Sequence, residues 1–387
     1  MCKFSKILIA HPGLQHSYQL AEGVYRNGGL GGFISGVPVA SSNDEWWFLP
    51  EAFKERIKSV SIPKEYRKHP IYWQLAIRLG AKISHHPRAW QHKMFHAFDK
   101  YIEKTINFSR YDCIIGFENS CFNSLRKAKE NGIFCILDAP SIHPLTADSL
   151  VKFDNGNYGK EILERRLLEI DIADRIITCS EFARQTYIDN GVSPDKVVAL
   201  MLGATPPVEN IKVEPKNVPE FIFAGAMSYR KSIDLILDVF SELSGKAHLK
   251  IVGGSENAAW IKRANSMNNV EYLGMQGQRS LFSHLAAADC LILPSRFDSF
   301  GMVVAESLSV GTPVLISENV GAKQILEKYP GAGWLCKPDF NSLRDTVMML
   351  VTDSSLLERA RNEVGPVADY CSWNGYYIRV SDFLESI

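Results

Sequence analysis

No sign of charge dominates this chain, in which 43 Lys and Arg stand against 43 Asp and Glu. That balance excludes the global electrostatic footprint of a nucleic-acid binder. No apolar run approaches the ~18 uninterrupted residues of a membrane-spanning helix. The apolar stretch 7–10, ended by His11 and Pro12, is too short for a secretory signal, so a cytoplasmic protein is expected. No Cys-x-x-Cys pair occurs, and the eight cysteines keep no repeated spacing. Cys113, Cys135, Cys179 and Cys290 sit in or beside apolar runs, which predicts reduced core thiols and neither a disulfide framework nor a zinc site. No acidic pair of the Asp-x-Asp kind stands where it would hold a metal, so no metal site is expected. Neither strand-to-helix junction supplies the Gly-x-Gly-x-x-Gly of a dinucleotide dehydrogenase: HPGLQHS follows the first strand and AGAMSYRKS the first strand of the second half. Internal repeats and low-complexity tracts are missing too.

What is present is length and a steady alternation. With 387 residues the chain exceeds the ~250–300 at which a single core stops growing, and two domains are expected. KILIAHPG, YDCIIGFEN, GIFCILDAP, DRIITCS and KVVAL are short runs rich in branched residues. They are separated by helical stretches such as SLRKAKENG and FARQTYIDNG. The alternation means parallel βαβ units. TPPVENIKVEPKNVP, with four prolines in fifteen residues, reads as a linker. The pattern then restarts with FIFAGA, HLKIVGG, NVEYLG, DCLILPS and TPVLIS. The predicted organisation is a domain over 1–204, a linker over 205–219, a second domain over 220–370 and a C-terminal helix over 371–387 packing back on the first domain. Doubly wound sheets of this kind bind ligands at the carboxyl ends of their strands.

RFDSFGMVVAESLSVG, residues 296–311, places Asp298 and Glu306 on either side of a bendable Ser-Phe-Gly. A helix from about Gly301 to Val310, stopped by Gly311 and Pro313, leaves Asp298 in the loop and Glu306 on the second turn. The start of such a helix attracts anions, and a carboxylate accepts hydrogen bonds from adjacent hydroxyls. Phosphate and several hydroxyls together describe a nucleotide sugar. Arg230 and Lys231, between a strand and the helix SIDLILDVF, are two cations within reach of a diphosphate.

The segments EIDIADRIITCSEFARQTYIDNGVSPDKVVALMLGA, FAGAMSYRKSIDLILDVF, LKIVGG, the stretch from NNVEYLG to TPVLIS, GAGWLCKPD and a closing SW with YY together resemble glycosyltransferase family 4, a retaining group. The resemblance covers most of residues 160–380. It implies the α/β GT-B fold, two doubly wound Rossmann-like domains facing a cleft. By the same resemblance Glu306 holds the ribose hydroxyls, while Asp298, Ser299, Phe300, Gly301 and Met302 hold the donor sugar. Asp298 stands where the family usually has Glu. Lys231 matches the donor-phosphate lysine. Gly225 is followed by Ala226 where the family often has Arg, so Arg230 is expected to substitute. Gly13 and His16 fall at the first strand-to-helix turn, near the donor phosphate or sugar, with a structural, hydrogen-bonded role open for His16. His143 is the counterpart of a histidine near the reacting centre. The base is expected along 268–278, including Met275. The donor is then a UDP- or GDP-sugar, no further cofactor is needed, and basic groups replace a metal ion in stabilising the leaving diphosphate.

The acceptor is left to the first domain. Residues 51–110 hold thirteen Lys and Arg against five Asp and Glu, with five of the ten histidines. Such a surface suits an anionic membrane, on the inner face of which the protein would be peripheral, or a phosphate-bearing acceptor; an ordinary solvated helical face is the alternative. A sugar or lipid-linked acceptor in polysaccharide or glycolipid synthesis follows. Two other functions remain open at this point: another enzyme on the same fold, an epimerase or phosphorylase, and a non-catalytic sugar-nucleotide binder.

Overall fold

The computed structural model describes residues 3–41, 44, 57–150, 157–204 and 216–387. The expected linker 205–219 therefore lies outside the described residues as far as 215, as does 51–56 of the basic segment. Two compact units emerge. The first comprises Met1–Thr178, Arg184–Leu200 and Tyr377–Ile387, the second Cys179–Ala183 and Met201–Tyr376.

In the first unit the strands are β1 (Ile7–His11), β2 (Leu30–Ser35), β3 (Val39–Ala40), β4 (Lys58–Ser59), β5 (Arg67–Lys68), β6 (Cys113–Phe117), β7 (Phe134–Asp138), β8 (Arg175–Thr178) and β9 (Val197–Ala199). β3 and β4 form a small separate pair, and the other seven make one sheet in the order β5-β2-β1-β6-β7-β8-β9. Every pairing described in it is parallel, for example Ile7 beside Cys113 and Ala10 beside Gly116. Helices cover both faces of such a sheet, so its central strands read as continuous apolar runs, and β1 and β6 are buried along their whole length. The chain winds outward from β1 to β2 and β5, then returns to β6 and runs the other way. That reversal opens a crevice at the carboxyl ends of β1 and β6.

The last helix, Trp373–Ser386, buries Tyr376, Phe383 and Leu384 but leaves Ile378 64% exposed. Its final part belongs to the first unit because Gly23, on helix Ser17–Arg26, lets it lie close. A Cβ on Gly23 would stand 3.3 Å from Tyr377 and Val380. Arg26 completes the seam, its guanidinium 4.3 Å from the centre of the Tyr377 ring.

The second unit repeats the plan with β10 (Glu220–Ala224), β11 (His248–Val252), β12 (Val270–Gly274), β13 (Cys290–Leu293), β14 (Val314–Ser317) and β15 (Gly333–Cys336). Their order is β12-β11-β10-β13-β14-β15, so the reversal falls between β10 and β13. Helix Ile233–Ser241 shows why the sequence holds there. Ile233, Ile236, Leu237 and Phe240 recur on one face and are fully buried. Each contributes ~1.5–3 kcal/mol by burial. Phe240 meets Phe221 of β10 edge-on at 5.6 Å, and Phe240→Ala would cost ~3–5 kcal/mol through the cavity it leaves.

All seven described cysteines are buried, and burial pushes Cys135 and Cys336 up to about 12, the behaviour of inert core thiols. Among the described residues no helix is long and apolar enough to cross a membrane.

Candidate functional site

The reversal between β10 and β13 gathers most of the residues singled out in the sequence. Gly225 to Ser232 follow β10, and Ser295 to Gly301 follow β13. From the first loop Arg230 and Lys231 converge on the second, where Asp298 Oδ2 lies 3.4 Å from Arg230 Nη1 and 3.4 Å from Lys231 Nζ. Lys231 and Asp298 are largely shielded, with side chains 13% and 14% exposed. These contacts are longer than the ~2.7–2.9 Å of a tight charge-assisted hydrogen bond, so the cations keep donor capacity for a ligand. Lys231 also acts on Glu306. Burial pushes the Glu306 carboxyl above its ordinary value and the charge of Lys231 pulls it back, as expected of an acid and a cation sharing a shielded hollow.

Glycine makes the approach possible at two points. Gly225 has φ +147°, and a Cβ there would stand 2.8 Å from Lys231 Nζ. Gly301 has φ +82° and is the N-cap of helix Met302–Ser309, where a Cβ would stand 2.9 Å from Val320 Cγ1. The helix thus begins and ends one residue inside the expected Gly301–Val310, with Asp298 in the loop before it and Glu306 on its second turn. The Val304 N–H donates to the Gly301 carbonyl at 2.8 Å, and the N–H groups before it in the first turn carry the positive end of the helix. Ser232, beside Lys231, is held at φ +56° although it has a side chain, a local strain of the kind that collects at functional loops.

Several residues that the sequence reading missed hold these loops in place. Arg296 forks onto Asp234 at 2.8 and 2.7 Å, stacks over Tyr229 with 3.5 Å to the ring centre and donates to the Tyr229 carbonyl at 2.6 Å. Its own N–H donates to the Arg230 carbonyl at 2.9 Å, which ties the cation loop to the acid loop. On the other side, the Asp298 N–H donates to the Asn319 carbonyl and the Gly321 N–H to the Asp298 carbonyl, each at 2.9 Å. The Ala322 N–H donates to the Phe300 carbonyl at 2.8 Å. Phe300 itself is buried at 3% exposure, while Ser299 and Met302 flank the cap. Met275 follows β12, two strands from β10, and is 85% exposed over Gly254. The signal for Arg296 was its place in RFDSFG; its partner Asp234 lies 62 positions away.

The other singled-out residues belong to the first unit. The Gly13 N–H donates to Nδ1 of His11 at 2.8 Å, so this amide, expected to approach a phosphate, has a protein partner. Burial pushes His11 down to about 3, which keeps Nδ1 an acceptor. His16 precedes helix Ser17–Arg26 but its side chain makes no cap; instead Nε2 lies 2.9 Å from Asp138 Oδ2, both groups buried. The structural alternative for His16 describes this geometry. His143, in the loop after β7, donates its N–H to Thr186 Oγ1 at 2.8 Å and accepts from the Leu145 N–H on Nδ1 at 3.3 Å. Burial first, then the charge of Arg166, push it down to about 4, so it is a neutral imidazole near pH 7. It meets Tyr187 edge-on at 5.1 Å.

Two polar networks at the ends of β6 and β7 were also missed. Ser141 Oγ donates to Glu118 at 2.8 and 2.7 Å, and Arg166 Nη2 reaches Glu118 at 2.7 Å and Ser141 at 2.8 Å. Glu169, fully buried, accepts from the N–H groups of Asn119, Cys121 and Phe122, and Asp99 from those of Asn123 and Ser124. Burial pushes Glu169 up to about 7 against those hydrogen bonds. The two carboxylates satisfy the first N–H groups of helix Phe122–Glu130. Among the described residues no group of three or more His, Cys, Asp or Glu is placed to hold a metal ion.

Residues 206–364 match the family model of glycosyl transferases group 1. Over 275 residues the chain is 24% identical to an uncharacterized glycosyltransferase of Methanocaldococcus jannaschii, a match covering 70% of this chain and 73% of that protein. Over 259 residues it is 24% identical to the O-antigen chain mannosyltransferase B of Escherichia coli, covering 62% and 64%. Two further uncharacterized relatives are matched over 44% and 41% of their own length, less than half of each. Among solved structures, HepE of Anabaena in complex with UDP-glucose superposes with a TM-score of 0.62 at 14% identity, covering 98% of this chain and 99% of that one. The fold is GT-B, built from two Rossmann-like α/β units.

Proposed function

We propose that this chain is a retaining glycosyltransferase of family 4 that moves a hexose-type sugar from a nucleoside diphosphate to an acceptor hydroxyl, without a metal ion. The observation that carries the reading is the convergence of Arg230 and Lys231 on Asp298, with Glu306 within reach of the Lys231 charge, at the strand reversal where such sheets bind ligands. Glycosyltransferase relatives, among them an O-antigen mannosyltransferase, and the likeness to a structure holding UDP-glucose support a sugar nucleotide as donor.

In this reading the diphosphate lies against Lys231 and Arg230 and the positive end of helix Met302–Ser309. Charge grows on the leaving diphosphate as the glycosidic bond breaks, so these groups favour the transition state over the ground state. Glu306 accepts from the ribose hydroxyls, and Asp298, with the backbone from Ser299 to Met302, orients the sugar. Gly225 clears the space Lys231 occupies, and the base lies along 268–278 with Met275 at its edge. No protein nucleophile or base is assigned; the leaving phosphate takes the proton of the acceptor hydroxyl. The acceptor, a sugar or lipid-linked sugar of polysaccharide or glycolipid synthesis, falls to the first unit, where Gly13, His16 and His143 have structural partners of their own. In this reading the protein works in the cytoplasm.

A thermal-shift panel of UDP-, GDP- and ADP-sugars tests the donor site, because a ligand that binds only the folded state raises its melting point. One class should stabilise the protein and, with an acceptor, release free nucleoside diphosphate and a product of unchanged anomeric configuration. Stabilisation by none of them would remove the proposal.

A further inference from the structure

The helix Tyr72–Ile83 carries two apolar faces, and the fold uses one of them. Trp73, Ile77 and Gly80 turn inward toward helix Pro87–Thr105, where Trp90 donates its indole N–H to the Ala76 carbonyl at 2.9 Å. The contact is close enough that a Cβ on Gly80 would overlap the Trp90 ring at 1.9 Å. The opposite face is a ladder at four-residue spacing: Ile71 is 49% exposed, Leu75 53%, Leu79 60% and Ile83 81%, with Tyr72 beside them at 51%. A four-residue step advances about 40° past a full turn, so the ladder forms one slightly inclined stripe. Of the thirteen large apolar side chains that stand exposed among the described residues, five fall in this one helix and the residue before it. Scattered single exposures need no explanation, whereas a contiguous stripe marks a docking surface.

Charge identifies what it docks on. From Glu65 to Asp99 the sequence contains no acidic residue between them, but it holds Arg67, Lys68, Arg78, Lys82, Arg88 and Lys93. Arg67 is taken up by Asp44 at 2.8 Å. Lys68, Arg78, Lys82 and Lys93 are exposed, and Arg78 and Lys82 project from the same helix as the stripe. At ~100° per residue Lys82 falls between Ile71 and Leu75, and Arg78 beside Ile71. Leucines and isoleucines flanked by cations, in a stretch of sequence without an acid, match an anionic bilayer, into whose interface the apolar side chains insert while the cations meet the headgroups. A protein partner of similar shape would not by itself require 33 residues without an acid.

We infer that the face Ile71, Leu75, Leu79 and Ile83 of helix Tyr72–Ile83 seats the first unit on an anionic lipid surface, with Arg78 and Lys82 as its electrostatic flank. The inference does not depend on the donor reading, since lipid binding needs neither sugar nor turnover.

The test is flotation of the full chain with vesicles of phosphatidylcholine alone and with about 30% phosphatidylglycerol. Wild-type protein is expected to float with the anionic vesicles only. Because one leucine transferred from water is worth roughly tenfold or more in partition, Leu75→Ser with Leu79→Ser should lower the bound fraction by at least about tenfold. Arg78→Gln with Lys82→Gln should lower it less and weaken its salt dependence. Both double variants replace exposed side chains, and a melting point within a few degrees of wild type shows that they fold. Failure of the wild-type chain to float would overturn the inference. So would equal flotation of the folded leucine variant, or a wild-type dimer in sedimentation that Leu75→Ser with Leu79→Ser dissolves while vesicles are ignored.

Discussion

Replacing Lys231 with methionine keeps the length of the side chain and deletes its charge, and two acids register the loss. At 3.4 Å from Asp298, with an effective dielectric constant of ~20, the gross attraction is ~5 kcal/mol. Arg230 remains 3.4 Å from the same carboxylate oxygen, and the cost of shielding an ammonium disappears. The net destabilisation is therefore ~1–2 kcal/mol, or roughly 3–6 °C in melting point for a unit of this size. Glu306 sets the pH dependence. Burial raises its folded pKa above the unfolded value and Lys231 opposes that shift. A carboxyl with a raised folded pKa costs stability only where it is charged, above its unfolded pKa, and nothing below both values. Deleting Lys231 enlarges that cost at neutral pH, so the melting deficit of Lys231→Met is largest near pH 8 and shrinks toward about pH 4. Turnover, followed as nucleoside diphosphate released with the donor found in the panel, should fall about 10²–10³-fold, as when one fixed stabiliser of developing charge is removed. Wild-type turnover, or a deficit that grows as the pH falls, would refute the reasoning.

Glu306→Gln keeps the shape and removes a charge that burial disfavours; donor affinity and turnover should drop together by about tenfold or more while the melting point holds or rises, read by calorimetry and thermal shift. Gly301→Ala forces a side chain onto φ +82° against Val320 and should cost ~1–3 kcal/mol in denaturant unfolding, with an unchanged midpoint counting against the strain argument. Arg296→Lys cannot fork onto Asp234; KM for the donor should rise severalfold, and Arg296→Met should be worse in the same direction. Equal kinetics for both and the wild type would make Arg296 a merely structural residue.

The pattern of alternating strands and helices was legible because parallel strands buried on both faces are nearly unbroken apolar runs. β2 was not among the strands read from the sequence, and its composition explains why. It contains Gly31 and Gly32, which weaken the apolar signal, yet a Cβ on Gly31 would stand 2.9 Å from the backbone of Lys6 and 3.1 Å from Tyr111. Close packing against the neighbouring strand required the residues that hid it. In the second unit the spacing of Asp298 and Glu306 around a bendable Gly301 carried the site, since loop, cap and helix are local. Arg296 was missed because its meaning lies in Asp234, which only the sheet brings near. The same limit applied to the first turn of the first unit. Gly13 and His16 looked available to a phosphate in sequence, whereas Gly13 donates to His11 and His16 pairs with Asp138, 122 positions away.

The segment bearing Asp298 is laced along one edge to the stretch that follows β14, through Asn319, Gly321 and Ala322. A Cβ on Gly321 would come within 2.1 Å of the Ser299 carbonyl oxygen, so the lacing tolerates no bulk. Anyone regrafting residues 296–301 from a relative to change which sugar is accepted must therefore transplant 317–322 with them. A swap of the acid-bearing half alone would arrive without its mould.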